Sequence, residues 1–156
     1  LERSYQVSKK FEIIINKKKY LAKEGETVLD VAKNNDSYIP TLCHHPDLQP
    51  NASCRICLVE LKCESVYKTV CACETEVFQG MEIRLDSPKI KKSRKINLEL
   101  LFSDHAKKCT DCNWRDNCQL KKMSHDFGLT DSRFSERRRK FKIDQKTQSM
   151  FWDSSK

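Results

Sequence analysis

The sequence predicts a protein of the α+β class, with a strand-rich first half followed by a helical segment. Short runs of β-branched and aromatic residues recur up to residue 85, and Ser87-Pro88 then forms a strong helix start. Eight cysteine and histidine residues also fall into two sets of four, each with the spacing of metal ligands. These observations predict two small units, each built around bound metal.

Strands are expected where apolar and β-branched residues cluster or alternate with polar ones. The run FEIII is the clearest of these, and the polar pair Asn16-Lys17 separates it from the next strand. The predicted strands cover residues 11–15, about 19–22, 58–61, 67–70 and 81–85.

Three helices are expected from their end signals. Thr27 caps the first with Asp30 three residues later, the second covers 87–103, and the third covers about 118–127 and stops at Gly128. The first two turns of the second helix are almost wholly basic, so we expect only its far end to be well buried. The apolar positions are Val28, Leu29, Val31 and Ala32 in the first helix, and Ile96, Leu100 and Leu101 in the second.

Composition limits the class of protein. The chain has 156 residues, of which 38% are hydrophobic and 33% charged, so its hydrophobic core is small. We therefore expect bound metals or clusters to contribute to the stability of the fold. Nine cysteines without an apolar leader segment indicate reduced, metal-binding thiols in a cytoplasmic protein. No apolar run approaches the roughly 20 residues of a membrane span.

The net charge of +8 raises nucleic-acid binding as a second possibility. The basic residues occur in short runs without interleaved aromatic residues for base stacking, so we expect no nucleic-acid partner. Solvated helix faces explain most of this charge, and a basic surface also suits the docking of an acidic electron carrier.

The first ligand set is Cys43, Cys54, Cys57 and a fourth cysteine, either Cys73 or Cys71. A C-x2-C pair puts two thiolates on one turn, which both zinc and iron use. One early cysteine, a C-x2-C pair and one late cysteine is the general order of a [2Fe–2S] site, here with a longer first loop than the plant-type spacing. The set therefore predicts a two-iron cluster.

The second set is His105-x3-Cys109-x2-Cys112-x5-Cys118. One imidazole and three thiolates hold either zinc or a [4Fe–4S] cluster, and spacing alone does not decide between them. Replacing a thiolate by neutral histidine removes a negative charge, so a cluster held here is expected to have a raised potential.

The stretches EGETVLDVA, YIPTLCHHPDLQPNASCRICLVEL, CACETEVFQGMEIRLDSP and SDHAKKCTDCNWRDNCQL resemble an electron-transfer module of a known family. The family comprises [FeFe] hydrogenases, NAD-dependent formate dehydrogenases and the large iron–sulfur subunit of complex I. The resemblance implies a β-grasp [2Fe–2S] ferredoxin-like domain over 10–86 and a helical [4Fe–4S]-binding segment over 87–130. The polar, basic residues 131–156 then form an extended tail or linker to a partner or further domain.

The resemblance also implies a choice for the fourth two-iron ligand. Counting back from Gly80-Met81 selects Cys73, whereas counting forward from Cys57 favours Cys71, because the intervening hairpin varies in length. We predict Cys73, with Cys71 as the alternative. Cys63 has no counterpart in the family pattern.

The predicted function is an electron relay through one [2Fe–2S] and one [4Fe–4S] cluster within a larger oxidoreductase complex. The sequence contains no convincing catalytic set, so the chain is expected to serve as the electron-transfer part of an enzyme. Partners are expected among the other subunits or domains of a redox complex, including an acidic ferredoxin or a flavin-containing, NADH-oxidising subunit. The chain ends where the relatives' next cysteine block would begin, which suggests part of a larger subunit or a free-standing relay subunit. The alternative is a zinc-stabilised binding module without redox activity.

Overall fold

The computed structural model describes residues 9–103, 105, 109–110, 112–130 and 132–134. Within them the chain forms an α+β fold, which confirms the predicted class. The elements are β1 (Lys10–Ile15), β2 (Lys18–Lys23), α1 (Val28–Asn34), β3 (Leu58–Cys63), β4 (Val66–Cys71), β5 (Glu82–Arg84), α2 (Pro88–Ser103) and α3 (Gln119–Asp126).

The five strands form one mixed sheet in the order β2-β1-β5-β3-β4. β1 and β5 are parallel, and the other neighbouring pairs are antiparallel. Asn16 and Lys17 turn the first hairpin with φ values of 48° and 69°. The Asn16 side chain also accepts a 2.9 Å hydrogen bond from the N–H of Leu85, which ties this turn to the chain that follows β5.

Helix α1 begins as predicted. Thr27 and Asp30 form a reciprocal capping box, in which the Asp30 N–H donates to Thr27 Oγ1 (3.2 Å) and the Thr27 N–H donates to Asp30 Oδ2 (2.9 Å). The predicted apolar side chains of this helix are all buried. They form the main core with inward-facing residues of the sheet.

Helix α2 differs from the prediction about its buried face. Leu100 is 47% exposed, whereas the buried residues are Ile90, Arg94, Leu98, Glu99 and Phe102. Four of these recur at every fourth position, from Ile90 to Phe102, and form a stripe along the whole helix. The expectation that only the far end is well buried was wrong, because Ile90 and Arg94 in the first two turns also belong to the buried face.

Helix α3 packs against α2 and has Cys118 as its N-cap. A second core joins these helices to the loop before β3, and its buried members are Cys54, Ile56, Leu98, Met123 and Leu129. The helix ends near Gly128, whose φ is +63°, as the sequence predicted. This core places the helical segment directly against the first cysteine-rich loop.

The chain after α3 returns to α2. The Ser132 hydroxyl donates to the carbonyl of Glu99 (3.1 Å), and the Arg133 guanidinium donates to both carboxylate oxygens of Glu99 (2.9 and 2.8 Å). Residues 132–134, at the start of the tail predicted over 131–156, therefore lie against α2. Residues 135–156 lie outside the described part of the chain.

Candidate metal centres

The first centre has one thiol pair at the start of β3. The N–H of Ala72 donates to the carbonyl of Cys57 (3.0 Å), which holds the chain after β4 beside the chain before β3. This contact brings the sulfur atoms of Cys57 and Cys73 to 3.4 Å. Both residues are buried, with 1% exposed surface each, so these two thiols face a dry interior.

Cys43 and Cys54 form a second thiol pair, because each of these residues shifts the pKa of the other. Burial raises the pKa of the Cys43 thiol, but hydrogen bonds from Cys54 and Ser53 outweigh it and lower that pKa below its ordinary value. Ala52 and Arg55, on either side of this turn, have φ values of 49° and 52°. Residues in the left-handed conformation curl the loop, and in such a curled loop backbone N–H groups can donate hydrogen bonds to the sulfur atoms.

Cys71 and Cys73 differ in their surroundings. The pKa of Cys73 is raised to about 12, mainly by burial. The hydrogen bond with the Cys57 thiol and the negative charges of the neighbouring thiols at Cys57, Cys43 and Cys71 raise it further. Burial and the charge of Cys57 raise the pKa of Cys71 to about 11, although this thiol is only half-buried. Cys73 therefore interacts with members of both thiol pairs and lies deeper than Cys71.

The donors of this first site fit a binuclear iron cluster. In a [2Fe–2S] cluster each iron takes two protein thiolates, and the four sulfurs stand here as two pairs, all free of disulfides. Among the described residues, no three cysteine, histidine or acidic side chains surround one point as they would a single ion. His44, next to Cys43, has a buried Nδ1 atom with no hydrogen-bond partner in the described structure, as expected beside a group that binding would supply.

The second set lies between α2 and α3. The N–H of His105 donates to the carbonyl of Phe102 at the end of α2 (2.8 Å), and the imidazole is exposed. The Cys109 sulfur lies 3.7 Å from the His105 carbonyl oxygen, and the Cys118 sulfur accepts a 3.4 Å hydrogen bond from the N–H of Lys121. Cys118 therefore presents its sulfur at the N-terminus of α3, beside a backbone N–H group.

The donor types of the second set suit a [4Fe–4S] cluster. Cys109, Cys112 and Cys118 are half-buried and unlinked by disulfides. In a [4Fe–4S] cluster each iron takes one protein ligand, so one histidine and three cysteines complete the ligand set. Neighbouring residues 104, 106–108 and 111 lie outside the described structure.

Arg94 is a charged residue near the first centre that the sequence analysis did not single out. Its guanidinium donates to the carbonyls of Leu58 and Leu85, and its surface is 6% exposed. The signal was present in the sequence, because Ile90, Leu98 and Phe102 share its helical row. Those apolar neighbours at multiples of four residues place position 94 on the buried face.

None of the helices in the described residues has the length and apolar character that crossing a membrane requires.

A mixed sheet crossed by a helix, with paired thiols in the loop before a central strand, defines an iron–sulfur protein of ferredoxin-like α+β fold. The family described as "2Fe-2S iron-sulfur cluster binding domain" matches residues 8–88, and the chain belongs to it. Residues 94–133 match a second family, the "NADH-ubiquinone oxidoreductase-G iron-sulfur binding region". The predicted family, fold and pair of cofactors, [2Fe–2S] and [4Fe–4S], are thereby confirmed.

Relatives include subunits of two kinds of enzyme. The chain is 34% identical to the G 2 subunit of NADH-quinone oxidoreductase from Rhizobium meliloti, over 83% of this chain and 15% of that protein. It is 32% identical to the gamma subunit of the NAD-reducing hydrogenase HoxS of Cupriavidus necator, over 81% of this chain and 52% of that protein. It is 38% identical to the HndD subunit of the NADP-reducing hydrogenase of Solidesulfovibrio fructosivorans, over 77% of this chain and 21% of that protein.

A solved structure shares the fold. The crystal structure of NAD+-reducing [NiFe]-hydrogenase in the H2-reduced state superposes with a TM-score of 0.74 at 27% identity, over 86% of this chain and 56% of that one. The chain spans about half, or much less, of the length of these relatives. A formate dehydrogenase relationship stays a prediction.

Proposed function

We propose that this chain is the electron-transfer part of an oxidoreductase complex and passes single electrons through a [2Fe–2S] and a [4Fe–4S] cluster. The ligands are Cys43, Cys54, Cys57 and Cys73 for the first cluster, and His105, Cys109, Cys112 and Cys118 for the second. The observation that carries the proposal is the arrangement of two thiol pairs. Cys43 and Cys54 lie in the loop before β3, and Cys57 at the end of that loop pairs with Cys73 from the chain after β4.

The clusters, when bound, supply one-electron redox chemistry, and the protein sets their position, dryness and potential. Cys57 and Cys73 bury their sulfurs, which keeps water away from the inner side of the first site. Against the effect of burial, Ser53 and Cys54 lower the pKa of Cys43. An environment that stabilises negative charge at a ligand sulfur favours the more negative, reduced state of a cluster. Ile56, fully buried between the ligands of this loop and the two helices, fixes the first site against the second unit.

Further parts of the proposal concern organisation and partners. Residues 10–86 and 87–130 form the two cluster-binding units, and 131–156 connects them to a partner or further domain, in a cytoplasmic complex. Partners are other subunits of the complex, including an acidic ferredoxin or a flavin-containing, NADH-oxidising subunit, and no nucleic acid. This choice is supported by the exposed lysines of α2, which offer charge complementarity to an acidic carrier. They are Lys89, Lys91, Lys92 and Lys95.

The test is anaerobic purification followed by iron and acid-labile sulfide counts and an EPR spectrum after dithionite reduction. About six irons per chain and two distinct reduced signals are expected from the two-plus-four assignment. Zinc in place of iron, without an EPR signal, would instead support a structural metal module and contradict the proposal.

A matched pair of variants tests which cysteine is the fourth ligand of the [2Fe–2S] cluster. Cys73→Ser is expected to remove or strongly alter the two-iron signal, because its sulfur lies 3.4 Å from that of Cys57. Cys71→Ser is the control, two residues away, and is expected to leave that signal unchanged. The opposite pattern would assign the ligand to Cys71.

A further inference from the structure

Arg94 joins three parts of the fold through main-chain acceptors. Its Nε and Nη2 atoms donate to the Leu58 carbonyl (3.2 and 2.7 Å), and Nη2 also donates to the Leu85 carbonyl (2.9 Å). Leu58 directly follows Cys57, so the guanidinium reaches the backbone next to a predicted ligand of the first cluster. The side chain therefore connects helix α2 to the first metal centre.

The charge of Arg94 is not balanced at close range. Its surface is 6% exposed, and within the described residues no carboxylate lies within ion-pair distance of it. Among charged groups, Asp86 has the largest effect on the pKa of Arg94, and its carboxylate is bonded to the exposed Lys91 (2.9 Å). A buried guanidinium that has only carbonyl partners is costly, because carbonyl dipoles replace water but do not neutralise the charge.

An anionic group beside Cys57 would balance this charge. Burial lowers the pKa of Arg94, and the charges of Asp86 and the Cys57 thiolate act in the opposite direction. A [2Fe–2S] cluster with four thiolates is anionic and becomes more negative by one charge when it accepts an electron. A fixed buried cation near such a group stabilises the reduced form more than the oxidised form.

We propose that Arg94 is a positioning residue for the two-iron cluster, where it acts as the buried counter-charge and raises the cluster's reduction potential. The inference rests on the proposed function, since it requires a cluster at Cys57. It goes beyond that function by assigning the control of potential to a residue on the helix that leads to the second cluster.

A purely structural role makes different predictions. If Arg94 only fastens α2 to the sheet through hydrogen bonds, then its neutral and its cationic replacements disturb the fold alike and leave the potential unchanged. If its charge matters, Arg94→Lys preserves the potential although it loses the forked hydrogen-bond geometry. Arg94→Gln removes the charge. The control is Lys95→Gln, which removes the same charge from the exposed neighbouring position on α2.

The experiment is an EPR-monitored redox titration of the two-iron signal in the anaerobic holoprotein, after iron counting has shown that the wild-type chain carries that cluster. Arg94→Gln is expected to shift the equilibrium towards the oxidised form by roughly tenfold, which is 59 mV for a one-electron couple. Arg94→Lys and Lys95→Gln are expected to stay close to wild type, the latter because water screens its charge.

The outcomes are distinct. An unchanged potential in Arg94→Gln, or an equal drop in Arg94→Lys, would overturn the inference and leave the proposed function intact. If neither Arg94→Gln nor the similarly long Arg94→Met retains the cluster while Arg94→Lys does, the requirement for charge is supported. Cluster loss in all three variants would show that hydrogen-bond geometry is decisive and would overturn the inference. A wild-type chain without a two-iron cluster would refute the proposed function itself.

Discussion

Replacing Leu98 by alanine should destabilise the second core, which joins α2 and α3 to the loop before β3. Leu98 is fully buried in the core that contains Cys54, Ile56, Met123 and Leu129. Truncating a buried leucine to alanine costs about 2–5 kcal/mol through lost burial and the cavity that remains. We expect about 3 kcal/mol here, because the surrounding residues come from a ligand loop and a second helix, which limits collapse into the space.

Leu100 provides a matched control on the same helix. It is 47% exposed, so Leu100→Ala removes little burial, and alanine's higher helix propensity offsets part of the loss. We expect a change below about 1 kcal/mol. The assay is thermal unfolding of the cluster-loaded protein under nitrogen, followed by circular dichroism at matched iron content.

For a chain of this size, 1 kcal/mol shifts the melting temperature by about 2–4 °C, so Leu98→Ala should lower it by about 6–12 °C. Leu100→Ala should shift it by no more than about 4 °C. Equal effects of the two substitutions, or a larger effect of Leu100→Ala, would refute the assignment of the buried face of α2.

Three further outcomes are expected. Cys112→Ser should remove the four-iron EPR signal and leave the two-iron signal largely intact, whereas loss of both signals would mean that the two sites form one cooperative unit. His105→Cys should retain the four-iron cluster but lower its potential, because a thiolate adds negative charge, and an unchanged potential would remove His105 from the ligands. Hydrogen bonds from Arg133 lower the pKa of Glu99 from 4.5 to about 2. The contribution of the ionised Glu99 carboxylate to the free energy of unfolding is therefore complete above pH 4.5 and declines as the pH falls towards 2. The stability difference between wild type and Glu99→Gln, measured by urea unfolding, should shrink over that range, and a pH-independent difference would contradict this.

The helix ends were predictable from the sequence because their determinants are local. The capping box of Thr27 and Asp30 and the start at Ser87-Pro88 lie within a few residues of the helices that they begin. Five strands were also predicted close to their observed positions, because their apolar patterns repeat over adjacent residues.

The apolar row of Ile90, Leu98 and Phe102 indicates the buried face of α2, but it does not show how the charged residues on that face are accommodated. Arg94 is buried because carbonyls of Leu58 and Leu85 accept its hydrogen bonds, at sequence separations of 36 and 9 residues. Glu99 is buried because Arg133, 34 residues later, bonds to its carboxylate. Such long-range partners have no local sequence signal, so charged residues there indicated a solvated surface.

The choice between Cys71 and Cys73 had a similar limit. The sequence spacing from Cys57 depends on the length of the intervening hairpin, which local patterns do not determine. In the folded chain, two backbone hydrogen bonds hold Ala72, which lies between the two candidate cysteines. The Ala72 N–H donates to the Cys57 carbonyl, and the Leu29 N–H at the start of α1 donates to the Ala72 carbonyl (3.0 Å).

The hairpin of β3 and β4 also suits the chain for protein engineering. Its tip at Glu64 and Ser65 lies beyond the paired residues that start at Leu58, roughly 17 Å along the strand from the ligand end. The anchoring of Ala72 is at the opposite end, so an affinity tag or an electrode linker inserted after Ser65 would leave the ligand geometry in place. The hairpin tip is therefore a suitable point at which to attach the protein to an electrode or another artificial electron source.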